Sequence, residues 1–519
     1  MSATQPTTDP SAAAAAGPAP RDGVQLIAYA DRFGGSIAGL GEVLDGPLNG
    51  VFAGVHILPF FTPFDGADAG FDPADHTEVD PRLGTWDDVR TLGAEYTLMV
   101  DMIVNHVSAD SPEFRDVVAR GTDSPHSGLF LTMSDVYPQG ADEAELVGIY
   151  RPRPGLPFTP MTLGADKRLV WTTFTAQQID INVDDPAGQA YLERILTTLA
   201  GAGVTMIRLD AAGYAVKRAG TSSFMTPHTF AFIDRLTERA RALGVTVLVE
   251  IHSHFERQVA IAAKVDRVYD FALPPLILHA LYSGSGDALR RWLAIRPTNA
   301  VTVLDTHDGI GVVDVGADQI PDESGARRPG LLTPDQVDDL VEGIHTHSGD
   351  QSRLASGWAA SNVDVYQVNC TYYDALGRDD GAYLLARAIQ LLTPGIAQVY
   401  YVGLLAGTND MDLLARSGVG RDINRHHYSR AEIDDALARP VVAALLDLIR
   451  LRTSHPAFGG AFEVRGEGSA IELAWRDGDA SVVLIADLAT RAARLAATDR
   501  SGVVVECSDL RTGTAALLA

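Results

Sequence analysis

Three carboxylates stand at or just beyond the ends of apolar segments of this chain. Asp210 ends the run VTMIRLD, Glu250 follows VTVLV, and Asp308 follows AVTVLDTH. Charged groups at such positions are costly unless they are paired or used in chemistry. Pairing is one explanation, because Arg208 points to the same face of its strand as Asp210, and its permanent charge would hold that carboxyl ionised.

The alternative explanation is cleavage of a glycosidic bond with retention of configuration. That reaction needs an ionised carboxylate to attack the anomeric carbon and a second carboxyl, roughly 5 to 5.5 Å away, to protonate the leaving oxygen. Asp210, beside Arg208, suits the nucleophile. Glu250 suits the acid/base, because a carboxyl after a wholly apolar run is less solvated and can stay protonated. Asp308 would then bind sugar hydroxyls and stabilise a cationic transition state.

The elements that must position these groups are strands of a parallel barrel. Apolar runs rich in Val, Ile and Leu alternate with segments of helical periodicity, which predicts an α/β fold, a (β/α)8 TIM barrel. Chemistry in such barrels is located at the carboxyl ends of the strands, where His106 and His307 accompany the carboxylates. This joint occurrence favours catalysis over pairing. The eight runs begin at Val24, Gly54, Thr97, Val204, Val245, Arg267, Ala300 and Ala397.

The uneven spacing of the runs predicts two inserted subdomains and a separate C-terminal unit. We expect residues 1–22, rich in Ala, Pro, Thr and Ser and unlike a signal peptide, to form a disordered tail. Short alternating strands such as IELAWR predict a small all-β domain over 458–519. The remaining expected boundaries are 23–103, 185–309 and 377–457 for the barrel, 104–184 for a domain B and 310–376 for a second insertion, domain B′.

Composition excludes several classes of partner and site. The chain has 41 basic and 67 acidic residues and a net charge of -26, which argues against nucleic acid or an anionic membrane and favours small-molecule substrates. No segment has the uninterrupted apolar length of a membrane span, so we expect a cytoplasmic protein. Cys370 and Cys507 lack metal-ligand spacing. This spacing argues against a zinc site. The glycosidic chemistry needs no metal and the sequence has no Asp-rich loop of the calcium-binding type, so we expect neither a metal nor a cofactor.

Four segments resemble conserved regions of a known enzyme superfamily. VDMIVNH, IRLDAAGY, LVEIHSH and VLDTHDGIG are similar to those of the α-amylase superfamily, glycoside hydrolase family 13. Longer stretches, including GIYRPRPGLPF and GRDINRHHY, resemble more narrowly the sucrose phosphorylases of that family. The resemblance implies reversible phosphorolysis of sucrose to α-D-glucose 1-phosphate and fructose, through a glucosyl ester of Asp210. It also implies a homodimer.

The same resemblance implies a set of residues around the glucosyl unit. It assigns Asp210, Glu250 and Asp308 the roles already derived from their chemistry. Hydroxyl contacts and the shape of the subsite would come from Asp68, Phe71, His106, Phe174, Arg208, His307 and Arg421, with Tyr214 and Phe224 toward the entrance and the acceptor.

A phosphorylase must also bind phosphate and limit attack by water on its glucosyl ester. Phosphate is an anion approaching three acids, so it needs local positive charge. Arg153 in YRPRPG is the candidate, because its fork can bind phosphate bidentately and the flanking prolines restrict its loop. An Arg between prolines could instead only anchor the loop. The predicted acceptor pocket is completed by Tyr150, His252, Asp364, Tyr366 and Gln367.

Other functions stay open at this point. A related phosphorylase acting on sucrose 6-phosphate, glucosylglycerol or glucosylglycerate would keep the glucosyl subsite and change the acceptor loops. Tyr366 and the absence of a denser basic cluster favour plain sucrose. A transglucosylase or hydrolase is a second alternative. A non-catalytic barrel that serves as a binding subunit is hard to reconcile with the three carboxylates.

Overall fold

A closed barrel of eight parallel strands organises the protein. The computed structural model describes residues 23–66, 68–151, 155–318, 327–356 and 367–518. Seven of the eight apolar runs contain one barrel strand each, and the eighth strand begins one residue before its run, which confirms the predicted fold class. The strands are Gln25–Ala28, Gly54–Ile57, Thr97–Ile103, Met206–Asp210, Thr246–Val249, Arg267–Asp270, Ala300–Thr302 and Ile396–Tyr400. We number them in this order as the first to eighth barrel strands.

The strands are buried on both faces, as expected for a parallel sheet covered by helices. Helix starts are fixed by local sequence. Asp185 caps the helix that begins at Pro186, and Thr226 caps the helix that begins at Pro227. The helices of eight or more residues in the described ranges are Ile37–Asp45, Trp86–Glu95, Pro112–Arg120, Pro186–Gly201, Pro227–Ala242, Phe255–Ala262, Leu273–Ser283, Asp287–Ile295, Pro334–His347, Asp380–Leu392, Arg430–Leu437 and Pro440–Ser454.

Short antiparallel pairs lie outside the barrel, on the segments that follow its strands. They join Phe61–Thr62 to Asp75–Val79, His106–Ser108 to Gln178–Asp180, Phe158–Leu163 to Asp166–Trp171, and Ile310–Gly311 to Gln367–Val368. The third pair packs on a small separate core of Leu131, Tyr137, Ile149 and Trp171. The domain boundaries given above stay predictions.

The chain ends in a five-stranded antiparallel sheet, as the alternating pattern predicts. Trp475 anchors it to the barrel by donating a hydrogen bond from Nε1 to the Leu392 carbonyl at 2.6 Å. Cys370 and Cys507 are buried free thiols. Within the described ranges, no helix has the length and apolar character needed to cross a membrane. The five strands are Ala461–Arg465, Ala470–Asp477, Ala480–Asp487, Ala492–Thr498 and Val504–Cys507.

Candidate active site

The three carboxylates line one cavity at the carboxyl end of the barrel. Asp210 is the last residue of the fourth strand, Glu250 follows the fifth, and Asp308 lies on the segment after the seventh. Their side chains expose 12%, 13% and 12% of their surface. Asp210 and Glu250 are therefore equally buried, so the difference in solvation expected from the apolar run before Glu250 is not present.

Arg208 bridges the two carboxyls that the chemistry requires. Its Nη1 lies 2.9 Å from Asp210 Oδ1, and its Nη2 lies 2.6 Å from Glu250 Oε1. Nη1 also donates to Asp101 Oδ1 at 2.5 Å, and Asp101 Oδ2 lies 2.9 Å from His56 Nε2. Burial would raise the pKa of Asp101, but Arg208 and His56 lower it to about 2. The guanidinium is thus held from inside the barrel and orients both carboxyls.

The Asp210 and Glu250 carboxyls interact strongly. Burial, and then the charge on Glu250, raise the pKa of Asp210 well above its ordinary value, although Arg208 opposes the shift. Two carboxyls that interact in this way bind protons as a pair, so a proton is shared between them rather than belonging to one residue. Ala211, directly after Asp210, takes a left-handed φ of 53° and donates its N–H to Glu250 Oε2 at 3.4 Å. This unusual backbone conformation fixes the orientation of the pair.

Asp308 has the opposite electrostatic setting. Its Oδ1 lies 3.0 Å from Arg421 Nη1, and the same guanidinium atom lies 3.8 Å from Asp68 Oδ1. Burial disfavours the charge on Asp308, but Arg421, His307 and two further arginines outweigh burial and hold the pKa of Asp308 far below its usual range. The Gln367 amide oxygen accepts hydrogen bonds from Arg421 Nε and Nη2 at 3.1 and 3.2 Å. Asp308 is therefore a permanent anion.

Neutral histidines and aromatic rings form the wall beside these charges. His307 stacks on Phe71 with ring centroids 4.6 Å apart, and His106 meets the edge of Phe174 at 5.3 Å. Gln178 Nε2 lies 3.1 Å from His106 Nε2. Burial lowers the pKa of His307 to about 3 and also lowers that of His106. Both imidazoles can therefore exchange hydrogen bonds with the hydroxyls of a neutral ligand without adding charge.

A buried lysine holds this wall from behind. Lys217 Nζ lies 2.5 Å from Asp180 Oδ2 and donates to Asn105 Oδ1 at 2.6 Å. Asp180 also accepts from the backbone N–H of Thr173 at 2.9 Å. Asn105 and Thr173 directly precede the histidine and the phenylalanine of the cavity wall. The ionic cluster therefore connects two separate segments at the points where they contribute side chains to the cavity.

A row of aromatic rings leads from this wall toward the entrance. Phe174 contacts Tyr214 at 5.1 Å, Tyr214 contacts Phe224 at 4.6 Å, and Phe224 stacks on Tyr150 at 4.3 Å. A Cβ at Gly213 would lie 2.8 Å from Phe224 Cε2, so only glycine permits this approach of ring and backbone. The row offers apolar faces on which a sugar ring can lie.

His252 lies beside Glu250. Its Nδ1 lies 3.0 Å from Asp314 Oδ2, its Nε2 lies 4.0 Å from Glu250 Oε1, and its ring stacks on Phe271 at 3.8 Å. Burial would lower the pKa of His252, but the charges of Asp314, Glu250 and Asp308 outweigh it and raise the pKa. These charges therefore favour the protonated, positively charged form of His252.

One group of donor atoms in the described part of the chain could hold a metal ion. Atoms of Glu250, His252 and Asp308 lie within 4.8 Å of one another. Arg208 and Arg421 already contact the two carboxylates, so cationic side chains neutralise them. A metal ion would have to compete with these guanidinium groups.

Comparison with known proteins agrees with this geometry. Residues 33–260 match the model of the alpha-amylase catalytic domain. A sucrose phosphorylase of Agrobacterium vitis is 59% identical over 458 residues, which are 88% of this chain and 93% of that protein. A sucrose phosphorylase of Bifidobacterium adolescentis is 55% identical over 87% of this chain and 90% of that protein. This chain belongs to the sucrose phosphorylase family of the α-amylase superfamily.

A solved structure extends the comparison to the whole molecule. The sucrose 6F-phosphate phosphorylase from Thermoanaerobacter thermosaccharolyticum superposes with a TM-score of 0.86 at 35% identity, covering 94% of this chain and 98% of that one. The barrel and the C-terminal sheet are therefore those of the sucrose phosphorylase family, and the chain is an enzyme.

The structure brings most of the predicted site residues together, although their roles stay predictions. Arg208 lies behind Asp210 and Glu250, and Tyr150 reaches the site through its stack on Phe224. Gln367, which is predicted for the acceptor, contacts Arg421. The predicted residues that line the cavity directly are Asp68, Phe71, His106, Phe174, Asp210, Tyr214, Phe224, Glu250, His252, His307, Asp308 and Arg421.

Three predicted acceptor residues, Arg153, Asp364 and Tyr366, lie outside the described residues.

The sequence analysis did not predict several residues that support the cavity. Asp101 had a signal, because it is the single charge inside the apolar run TLMVDMIV. Gln178, Lys217 and Asp314 had none, because each acts on a segment far away in sequence.

Proposed function

We propose that this chain catalyses the reversible phosphorolysis of sucrose to α-D-glucose 1-phosphate and fructose by a retaining double displacement. The observation that carries the proposal is the Asp210 and Glu250 pair bridged by Arg208, facing the permanently charged Asp308 across one cavity. The 59% identity to a sucrose phosphorylase supports the choice of donor and acceptor.

The first displacement uses the shared proton of the pair. Asp210 attacks the anomeric carbon while Glu250 protonates the glycosidic oxygen and fructose leaves. Arg208 contacts both carboxyls, so it can stabilise the ionised nucleophile before attack and the Glu250 carboxylate after proton transfer. Asp308, held anionic by Arg421, stabilises the oxocarbenium-like transition state and binds hydroxyls of the glucosyl ring.

The second displacement needs phosphate in place of fructose. A phosphate oxygen attacks the anomeric carbon of the glucosyl ester while Glu250 accepts the proton of the phosphate. The bond from that carbon to Asp210 breaks, the Asp210 carboxylate leaves, and this second inversion restores the α configuration. His252 lies beside Glu250, and its protonated form, which the neighbouring carboxylates favour, offsets the negative potential that three carboxylates create for an incoming anion. Arg153, Asp364 and Tyr366 are proposed to complete the acceptor site, with Tyr150 and Gln367 at its margins.

The relatives favour sucrose as the glucosyl donor. The two relatives above 50% identity are named sucrose phosphorylase, whereas a glucosylglycerol phosphorylase of Marinobacter adhaerens is 41% identical. We infer small-molecule partners, with no metal or cofactor taking part. We also infer a cytoplasmic protein and a homodimer, the latter because the family resemblance suggests it.

The experiment is an assay of purified enzyme with sucrose, with and without inorganic phosphate. We expect α-D-glucose 1-phosphate to form only with phosphate, and its anomeric proton in NMR to report retention. In the reverse direction, with glucose 1-phosphate as donor, fructose should be preferred over glycerol, glycerate and fructose 6-phosphate. Release of glucose at the same rate with and without phosphate would contradict the proposal, and so would preference for another acceptor.

A further inference from the structure

Asp314 is a fully buried carboxylate that lies close to the cavity without lining it. Its Oδ2 lies 3.0 Å from His252 Nδ1. Its Oδ1 accepts hydrogen bonds from the backbone N–H of Ser253 at 3.0 Å and from Gln258 Nε2 at 2.7 Å. The segment after Asp308 is thereby fixed to the segment after Glu250. Neither sequence reasoning nor the proposed mechanism gives Asp314 a role.

These contacts determine the orientation of the His252 ring in the cavity. Asp314 engages Nδ1, and the stack on Phe271 fixes the ring plane, with only 12° between the two planes. The opposite nitrogen, Nε2, then lies on the side of the Glu250 carboxyl and the cavity. A Cβ at Gly311 would lie 3.0 Å from Asp314 Oδ2 and 3.6 Å from the imidazole, so the glycine leaves room for this contact.

Within the described part of the chain, three carboxylates raise the pKa of His252: those of Asp314, Glu250 and Asp308. Asp314 and Asp308 lie on the segment after the seventh barrel strand, and Glu250 lies two residues before His252 on the segment after the fifth. A carboxylate on Nδ1 requires that nitrogen to carry a proton, and it favours a second proton on Nε2. An imidazolium at this position is a directed, charged donor for an anionic acceptor.

We propose that Asp314 is a positioning residue for the phosphate step, holding His252 as an imidazolium whose Nε2–H faces the acceptor side of the cavity. The inference rests on the proposed phosphorolysis and adds to it the residue that selects phosphate over water. In serine proteases, a buried aspartate likewise fixes the tautomer and orientation of a histidine and stabilises its protonated form. Water gains little from the imidazolium, whereas phosphate gains a charge-assisted hydrogen bond.

The test compares the wild-type enzyme with Asp314→Asn. Asparagine keeps the shape and can still accept from Ser253 and Gln258, but it removes the charge beside His252 Nδ1. With α-glucosyl fluoride as donor, we expect the ratio of glucose 1-phosphate to glucose formed to fall at least tenfold, through a higher KM for phosphate. The loss should grow with pH, because the variant His252 loses its proton at lower pH than the wild type. Phosphate's own ionisation affects both enzymes equally.

Asp318→Asn is the matched control. Asp318 is buried on the same segment, with 3% of its side chain exposed, but it pairs with Arg257 and Arg328 rather than with His252. We expect its product ratio to stay within about twofold of the wild type. Equal losses in both variants, or an unchanged phosphate KM in Asp314→Asn, would overturn the inference. If the wild type itself forms no glucose 1-phosphate, the proposed function has failed instead.

Discussion

The two halves of the cavity are built in different ways. On the donor side, Asp210 and Glu250 stand on the adjacent fourth and fifth strands, whose register pairs Leu209 with Val249. Their separation is therefore set by the backbone hydrogen bonds of the barrel. On the proposed acceptor side, Asp314 holds His252, and the rings of Phe224 and Tyr150 stack from two connecting segments. The geometry there depends on side-chain contacts between segments outside the barrel.

This difference explains how one barrel can serve several acceptors. Changing a connecting segment alters the acceptor side while the strand register keeps the glucosyl chemistry intact. The relatives fit this division. A glucosylglycerol phosphorylase is 41% identical to this chain, and a sucrose 6(F)-phosphate phosphorylase of Thermoanaerobacterium thermosaccharolyticum is 38% identical. Both names denote a phosphorylase, and they differ in the group from which the glucosyl unit is transferred.

The largest effect should follow from Asp210→Asn. Both half-reactions pass through the same ester, so phosphorolysis and hydrolysis of sucrose should each fall by about 10⁴-fold or more. Steady-state assays of glucose 1-phosphate and glucose measure the two losses. Asp184→Asn is the control, because its carboxylate pairs with Arg218 at the surface. Loss of phosphorolysis with hydrolysis preserved would break the comparison, since the two acceptors would then not share a donor site.

Glu250→Gln should separate the two functions of the carboxyl pair. Sucrose cleavage should fall about 10²- to 10⁴-fold, because fructose then leaves without a proton. α-Glucosyl fluoride should lose less, since fluoride needs no general acid. kcat/KM for the fluoride requires ionised Asp210, so it is lost as pH falls through the Asp210 pKa, which burial and Glu250 raise well above 3.8. Removing the Glu250 charge should therefore move this acid limb to lower pH.

An acid limb that stays in place in Glu250→Gln would show that the two carboxyls do not interact as the structure indicates. Glu256→Gln is the control, because Glu256 is a surface carboxyl that pairs with Arg328 at 2.9 Å. Its pH profile should match that of the wild type.

The donor side could be predicted from sequence because its residues follow the strand pattern. Apolar runs locate the strands, and a polar residue at the end of a run falls at the carboxyl end of the barrel, which places Asp210 and Glu250 without further information. The same reasoning places Arg208 beside Asp210. It does not show that Arg208 also contacts Glu250, because that contact depends on the pairing of the fourth and fifth strands.

The supporting residues could not be predicted because their contacts join distant segments. Nothing near Lys217 in sequence indicates that its ammonium is buried between Asp180 and Asn105. Asp314 is one of many acidic residues in an acidic chain, and only the fold brings it to His252. Local patterns report burial and secondary structure, whereas these contacts arise from tertiary packing.

The smallest effect should come from the aromatic row of the acceptor side. Phe224→Ala removes the ring that stacks on Tyr150 at 4.3 Å and contacts Tyr214 at 4.6 Å. We expect the KM for fructose in the reverse reaction to rise about tenfold, corresponding to about 1.4 kcal/mol of lost ring contact. Hydrolysis of α-glucosyl fluoride should change by about twofold or less, because the carboxylates stay on their strands.

Phe158→Ala is the matched control for this truncation. Phe158 packs edge-on against Trp171 at 4.8 Å, in the small core away from the cavity. Its loss should lower the melting temperature without changing the KM for fructose. If Phe224→Ala instead slows glucosyl fluoride hydrolysis as much as it weakens fructose binding, the acceptor row would be part of the donor site. The barrel strands would then not be sufficient to hold the glucosyl chemistry in place.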